Sequence, residues 1–534
     1  MCEDMKTEKR TRLRRGAVLL LGALAYALLY ALCSQVDAVG SVDAGQVLPR
    51  FALAFPIALG VLALMFRFVL PRLERGGPEQ KGKPFFALGV FAWLVLCYGA
   101  MLLIQYPGSF MYDTQRQVFQ IARGEYEMFH PLLHTLLIRV CLSAQNLLGS
   151  MEKCAALYSV IQLTIIAACF AQVCSAVERM FGRRAAVISA LFFGLYPSHA
   201  AFAGNCTKDG LFSAFFALFF ALCFEEVLAG GLNAPRRALR LAAGTLACLL
   251  RNNMIYALAA WCVCLLLLGK RSRRVLVCSV LAIVLGAGVN GALQRATDAK
   301  SGSVIEMFSI PIQQLSRARL YAPECFTQEE AALMDEVFVD ALYGESDALY
   351  ERYEPTLADP VKNYLDEELV KARFADLARM WMSVGKKCPG VYLDAFLNLA
   401  LPSLYPYSHY RVAQPYIETG LQPGVVTAPF GLPPMTQPAR FEGVRDWMNT
   451  HIFSTGADDV PVIRWLFNTG FVFWNLLMIV LYELYSGNGR RFVLLLLPAL
   501  LWGTYLLGPV MQGRYLYPFI CVLPLFVFRT KRAV

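Results

Sequence analysis

The chain reads as an all-α integral membrane protein, and three features carry that reading. Hydrophobic residues make up 57% of it and charged residues only 16%, against roughly 45–50% and about 25% in an ordinary soluble domain. Mean hydropathy is +0.48, and apolar runs recur that can each cross about 30 Å of hydrocarbon with roughly 20 residues. The basic residues behind the +10 net charge sit in short loops between those runs. That is the distribution of the positive-inside rule, and no nucleic-acid-binding motif accompanies it.

The first run, Gly16–Cys33, follows Lys6, Lys9, Arg10, Arg12, Arg14 and Arg15. With only a weak cleavage site after it, at Ser34-Gln-Val-Asp-Ala38, it reads as an uncleaved signal-anchor whose N-terminus stays in the cytoplasm. Spans are expected near 16–34, 47–70 and 85–105; Arg72, Arg75, Lys81 and Lys83 hold the loop before the third one inside. Asp113 then falls outside. Residues 131–148 are apolar, but His134, Arg139 and Gln145 interrupt them. The later basic loops around Arg179, Arg236 and Lys270 all remain inside only if 131–148 does not cross. Residues 106–152 are therefore expected to form one external loop, with amphipathic helices lying on the membrane.

Further spans are expected near 154–178, 185–203, 209–229, 239–251, 253–269 and 275–293, then 462–485, 491–510 and 514–529. The total is about twelve, with both termini cytoplasmic. This divides the chain into an N-terminal transmembrane domain (1–293), a small and mostly helical external domain (294–461), and C-terminal membrane helices (462–534). In the external part, Thr327-Gln-Glu-Glu330 has the spacing of a capping box. Residues 361–384 have helical apolar spacing, and 402–438 are turn-rich and aromatic. Most of the sixteen cysteines lie in apolar runs, where a thiol is a small hydrophobe. Cys325 and Cys388 fall in the external part, where a disulfide between them is possible.

Four separate turns deliver polar groups to the outer rim of the membrane. The first loop brings Asp113, Gln117 and His130. Next comes Lys208-Asp209, followed by Arg251-Asn252-Asn253, and finally Arg514-Tyr515. Charged residues beside hydrocarbon are costly and commonly mark a polar cavity. Bases in that number suit a phosphate, Arg as a fork of donors and Lys as a point charge. A carboxylate among them suits general-base activation of a hydroxyl. Each residue also has a plainer reading: Asp113 as the acid at a helix start, Arg251 and Arg514 as snorkelling interface residues.

In this order these residues resemble the GT-C superfamily of integral-membrane glycosyltransferases. The run Phe129-His-Pro-Leu-Leu133 looks like the histidine/proline-rich loop helix entry of protein mannosyltransferases and aminoarabinose transferases, and Arg514-Tyr-Leu-Tyr-Pro518 like their Arg-Tyr-x-x-Pro. The chain as a whole resembles a bacterial family of GT-C-like membrane proteins with no assigned substrate. The pieces that match it are Tyr106-Pro-Gly108…Asp113, His130-Pro131, Lys208-Asp209, Arg251-Asn-Asn253, Ser309–Gln314, Asp359-Pro-Val-Lys362 and the Arg514 segment.

The resemblance implies an inverting transferase in the bacterial plasma membrane. It would move a sugar from a polyprenyl-phosphate donor to an envelope glycan or glycolipid acceptor. Asp113 would be catalytic; Gln117, His130, Lys208, Asp209, Arg251, Asn252, Arg514 and Tyr515 would bind substrate, and Ser309–Gln314 would contact sugar from above. Many such enzymes carry two adjacent loop acids, whereas here Thr114 follows Asp113. A divalent ion usually wants more than one carboxylate, so a metal-independent enzyme without cofactor is the favoured expectation, with a divalent metal left open. Two other classes stay open: a non-catalytic envelope assembly protein, and a lipid or polysaccharide transporter.

Overall fold

The computed structural model describes residues 2–73, 85–110, 112–269, 272–338, 349–408, 424–453, 465 and 468–529. These residues form helices, turns and isolated bridges, without a strand. The first half contributes α1 (Cys2–Val39), α2 (Ala44–Leu64), α3 (Phe86–Ile104), α4 (Tyr112–Arg123), α5 (Leu132–Leu142), α6 (Gln145–Leu148) and α7 (Met151–Phe181). It continues through α8 (Arg183–Leu195), α9 (Pro197–Gly204), α10 (Lys208–Leu228), α11 (Ala234–Leu250), α12 (Asn252–Leu266) and α13 (Arg273–Thr297). After these come α14 (Ser309–Tyr321), α15 (Gln328–Glu336), α16 (Asp359–Lys362), α17 (Glu367–Ala372), α18 (Phe374–Lys387), α19 (Pro389–Leu404) and α20 (Glu442–His451). The last helices are α21 (Thr469–Ser486), α22 (Gly489–Tyr505), α23 (Gly513–Cys521) and α24 (Leu523–Val527).

Among the described residues, seven helices are long and apolar enough to cross a membrane, or eight if the pair α8 and α9, bent by 57° at Tyr196, counts as one span. The expected twelve is a larger number, and helix length explains the difference. α11, α12 and α22 have 17, 15 and 17 residues, about 22–26 Å of helix at 1.5 Å per residue. The stretch expected as the last span breaks between α23 and α24, with Pro518 and Pro524 in the two pieces. α5 has only 11 residues, about 16 Å and too short to cross.

α10 is the axis of the main core. It packs on α7, α11 and α23, and its Phe212, Phe216, Phe219, Phe220 and Phe224 are fully buried. A second core lies in the 304–392 stretch, around Ile312, Leu315, Met334, Val361, Met380 and Val384. Thr327 and Glu330 make the expected capping box. The helical spacing over 361–384 resolves into three pieces, α16 to α18, rather than one helix. α19 joins the second core through Tyr392 near its start and meets α1 further along, where its Leu397, Ala400 and Leu401 pack on Cys33 and Val36. Cys325 and Cys388 are neighbouring free thiols. The irregular segment expected at 402–438 falls partly outside the described residues.

Candidate active site

Two short segments build the site by pairing with each other. Ser109 N donates to Gly204 O at 3.0 Å, and Cys206 N donates to Ser109 O at 2.8 Å. The Thr114 hydroxyl then donates to Cys206 O at 2.8 Å. This ties the start of α4 to the start of α10, which sets Asp113 beside Lys208. Gly108 makes the approach possible: its φ is +127°, and a Cβ there would collide with Ser159 Oγ and Gly204 O.

From beneath, the Gln162 amide donates to Phe202 O at 2.9 Å and Asn205 O at 2.5 Å. It accepts from Tyr158 at 2.5 Å. Tyr158 in turn meets His134 Nε2 at 2.7 Å, and His134 Nδ1 lies 3.0 Å from Gln117 Oε1. This buried chain of polar groups supports the loop that carries Lys208.

Thr207 caps α10, accepting from Asp209 N. Asp209 in the first turn suits the helix dipole, but Lys208 beside it does not. Its ammonium is held by a carboxylate: Lys208 Nζ lies 2.5 Å from Asp113 Oδ2. Arg514, at the start of α23, reaches the same oxygen at 2.8 Å. Arg514 Nε also lies 3.9 Å from Asp209 Oδ2. Asp209 pairs with Arg251 through Oδ1, Nε donating at 2.8 Å and an NH2 group joining it. Two acids and three bases, from four places in the sequence, thus form one linked cluster.

The cluster is graded in exposure. Asp113, Lys208 and Arg514 side chains are 20%, 14% and 26% exposed, whereas Asp209 is 1% exposed and sealed behind Arg251. The Arg251 guanidinium lies over Tyr515 at 4.7 Å and Tyr505 at 5.3 Å, and those two rings stack at 5.3 Å. Tyr505, at the end of α22, escapes sequence reasoning because a Tyr at a helix end carries no distinguishing signal. Asp209 emerges as a second acid in the cluster, nearly 100 residues from the first.

Burial alone would raise the Asp113 carboxyl, but Lys208 and then Arg514 outweigh it and hold the group well below the usual carboxylate range. Asp113 is ionised at neutral pH. His130 is buried against the same lysine, its Nδ1 3.4 Å from Lys208 Nζ. Burial first, then the nearby lysine, pushes its imidazole down to about 3. A neutral His130 can accept from Lys208 at Nδ1, which leaves the proton on Nε2.

Of the other expected substrate-binding residues, Tyr515 lies in the cluster. Asn252 sits exposed at the start of α12. The Gln117 amide is buried and donates to Thr135 at 2.8 Å while facing His134. The Ser309–Gln314 amides serve the second core: Gln313 donates to Glu354 O, and Gln314 donates to Tyr392 O and accepts from Trp381. Among the described residues, no group of three or more His, Cys, Asp or Glu side chains could hold a metal ion.

No curated protein and no solved structure matches the chain. Among protein families, residues 128–533 match a family of unknown function, DUF6020. His130, Lys208, Asp209, Arg251 and Arg514 lie in the matched segment, and Asp113 precedes it. With a match over about three quarters of its length, the chain belongs to this family.

Proposed function

We propose that the protein is a membrane glycosyltransferase of GT-C type. It moves a sugar from a polyprenyl-phosphate donor to an envelope acceptor on the membrane face that carries Asp113. One observation supports this above the others: an ionised, partly exposed carboxylate gathered with Lys208 and Arg514 from segments 95 and 401 residues away. Lys208 and Arg514 would bind the donor phosphate, with Asp209 and Arg251 fixing them from behind. In a single displacement the acceptor oxygen bonds to the anomeric carbon, and the carbon–oxygen bond to phosphate breaks. The acceptor proton goes to Asp113 and the electron pair leaves with the phosphate.

A carboxylate held so far down is a weak base, since a good general base titrates nearer the working pH. The cluster supplies a remedy. A donor phosphate competes with Asp113 for Lys208 and Arg514, and each cation it draws away raises the Asp113 carboxyl toward its ordinary range. Donor binding thereby activates the base.

Asp113→Asn keeps size and removes charge. It should lower transfer of labelled sugar from a lipid-linked donor by on the order of 10²–10⁴-fold. Unchanged transfer sinks the mechanism. The mutual pairing of all five side chains also favours a second reading, in which the network is structural and the protein is a non-catalytic envelope assembly factor. Asp113→Asn protein that fails to accumulate in the membrane supports that alternative.

A further inference from the structure

A second polar site lies at the opposite end of the bundle. Three elements reach both ends. α10 has Lys208 at one end and Leu228 at the other, about 30 Å apart for 21 residues of helix. α22 carries Arg491 in its first turn and ends at Tyr505, and the chain from Arg514 reaches Arg529. Leu228, Arg491 and Arg529 line one cavity of about 400 Å³ with Glu483, Arg15 and Arg67.

The inner half of this cavity is a clamp. Glu483 pairs with Arg491 at 2.8 Å and with Arg529. Arg491 also donates to Leu525 O, Phe526 O and Phe528 O, the carbonyls that end the last helix. That much is explained by structure alone: it closes the end of α24.

The outer half is not explained in that way. Arg15 and Arg67 are exposed, and among the described residues neither pairs with an acid. Arg15 lies over the Tyr485 ring at 5.2 Å. Arg67 sits in a π-helical turn, Met65–Val69, a distortion found often at functional sites. Among the described residues the cavity thus holds four arginines against one glutamate, an excess of three positive charges. Beside it, Leu13, Leu64, Phe68 and Val69 expose apolar surface.

We propose that this cavity binds a phosphate group, with Arg15 and Arg67 as the fork that grips it and Arg491 and Arg529 as the fixed floor. The flanking apolar residues suit an anionic phospholipid, whose chains would lie along α1 and α2 while its headgroup enters the cavity. This proposal stands apart from the Asp113 chemistry and does not rest on it.

The test compares the full chain with Arg15→Gln/Arg67→Gln, in nanodiscs of phosphatidylcholine with and without phosphatidylglycerol. Retained lipid is read by native mass spectrometry, and thermal stability is measured with and without inorganic pyrophosphate. The wild type should retain phosphatidylglycerol preferentially, and the double variant about tenfold less. Stabilisation of the wild type by pyrophosphate, lost in the variant, without a lipid preference, also supports the site and names a soluble phosphate as its source. A wild type showing neither effect overturns the proposal, even if the variant does not fold. Equal behaviour of wild type and variant overturns it too.

Discussion

Lys208 holds the most telling position of any single residue. A cation in the first turn of a helix opposes the helix dipole, and its side chain is only 14% exposed. Asp113 and Asp209 offset that cost. Lys208→Met should therefore do two things: free Asp113 from its strongest counter-charge, and weaken phosphate binding. In the transfer assay the donor KM should rise by about tenfold or more, in line with the loss of a charge-assisted contact. An unchanged donor KM removes Lys208 from the phosphate site.

The histidines give a pH signature. Burial, followed by Lys208, holds both His130 and His134 near 3 in the folded protein, against an ordinary value of about 6.5. Between those values the unfolded chain binds protons that the folded one refuses, so stability falls as pH drops below about 6.5. Asp113 runs differently. Its depressed pKa stabilises the fold above the usual carboxylate range, and that contribution disappears only in stronger acid. Thermal melts from pH 7.5 to 5 should show a falling midpoint, with a shallower slope in His130→Gln. A flat profile in the wild type would mean the imidazoles are reached by solvent.

At the scale of elements, the site depends on two loops meeting. Gly108 lies where α3 ends and the first loop turns toward 204–207, and any side chain there strikes Ser159 and Gly204. Gly108→Ala should destabilise by about 1–3 kcal/mol and separate Asp113 from Lys208. Measured thermal stability within error of wild type would show that the loop can adapt.

The same loops show what sequence could and could not reveal. Asp113, Lys208, Arg251 and Arg514 are legible because charge at the end of an apolar run is conspicuous. Which acid pairs with which base is not legible, because pairing is set by helix packing. Gln117 shows the converse: it lies in the same loop as Asp113 and is expected to bind substrate, yet the fold turns its amide toward Thr135 and His134. The capping box at Thr327 was readable since it is local, whereas α19 joining α1 depended on distant packing.

At the scale of the molecule, charge separates the two ends of the bundle. The end with Asp113 carries the linked five-residue cluster. The other end carries Arg179 and Arg236 on Glu225, Arg240 and Arg274 on Glu226, and the Arg15–Arg529 cavity. The positive-inside rule predicts that the second end faces the cytoplasm, so Asn146, in the short helix after α5, is expected to face outward with Asp113. Cysteine placed at Asn146 should react with a membrane-impermeant maleimide on intact cells, and cysteine at Arg72 only after permeabilisation. Labelling of Asn146 only after permeabilisation would put Asp113 on the cytoplasmic face, and labelling of Arg72 from outside would overturn the placement of the loop between α2 and α3. In the first case the transfer proposed above would need a cytoplasmic acceptor. The length of α5 already argues against a crossing there, so reversal would have to come from α1 or α2.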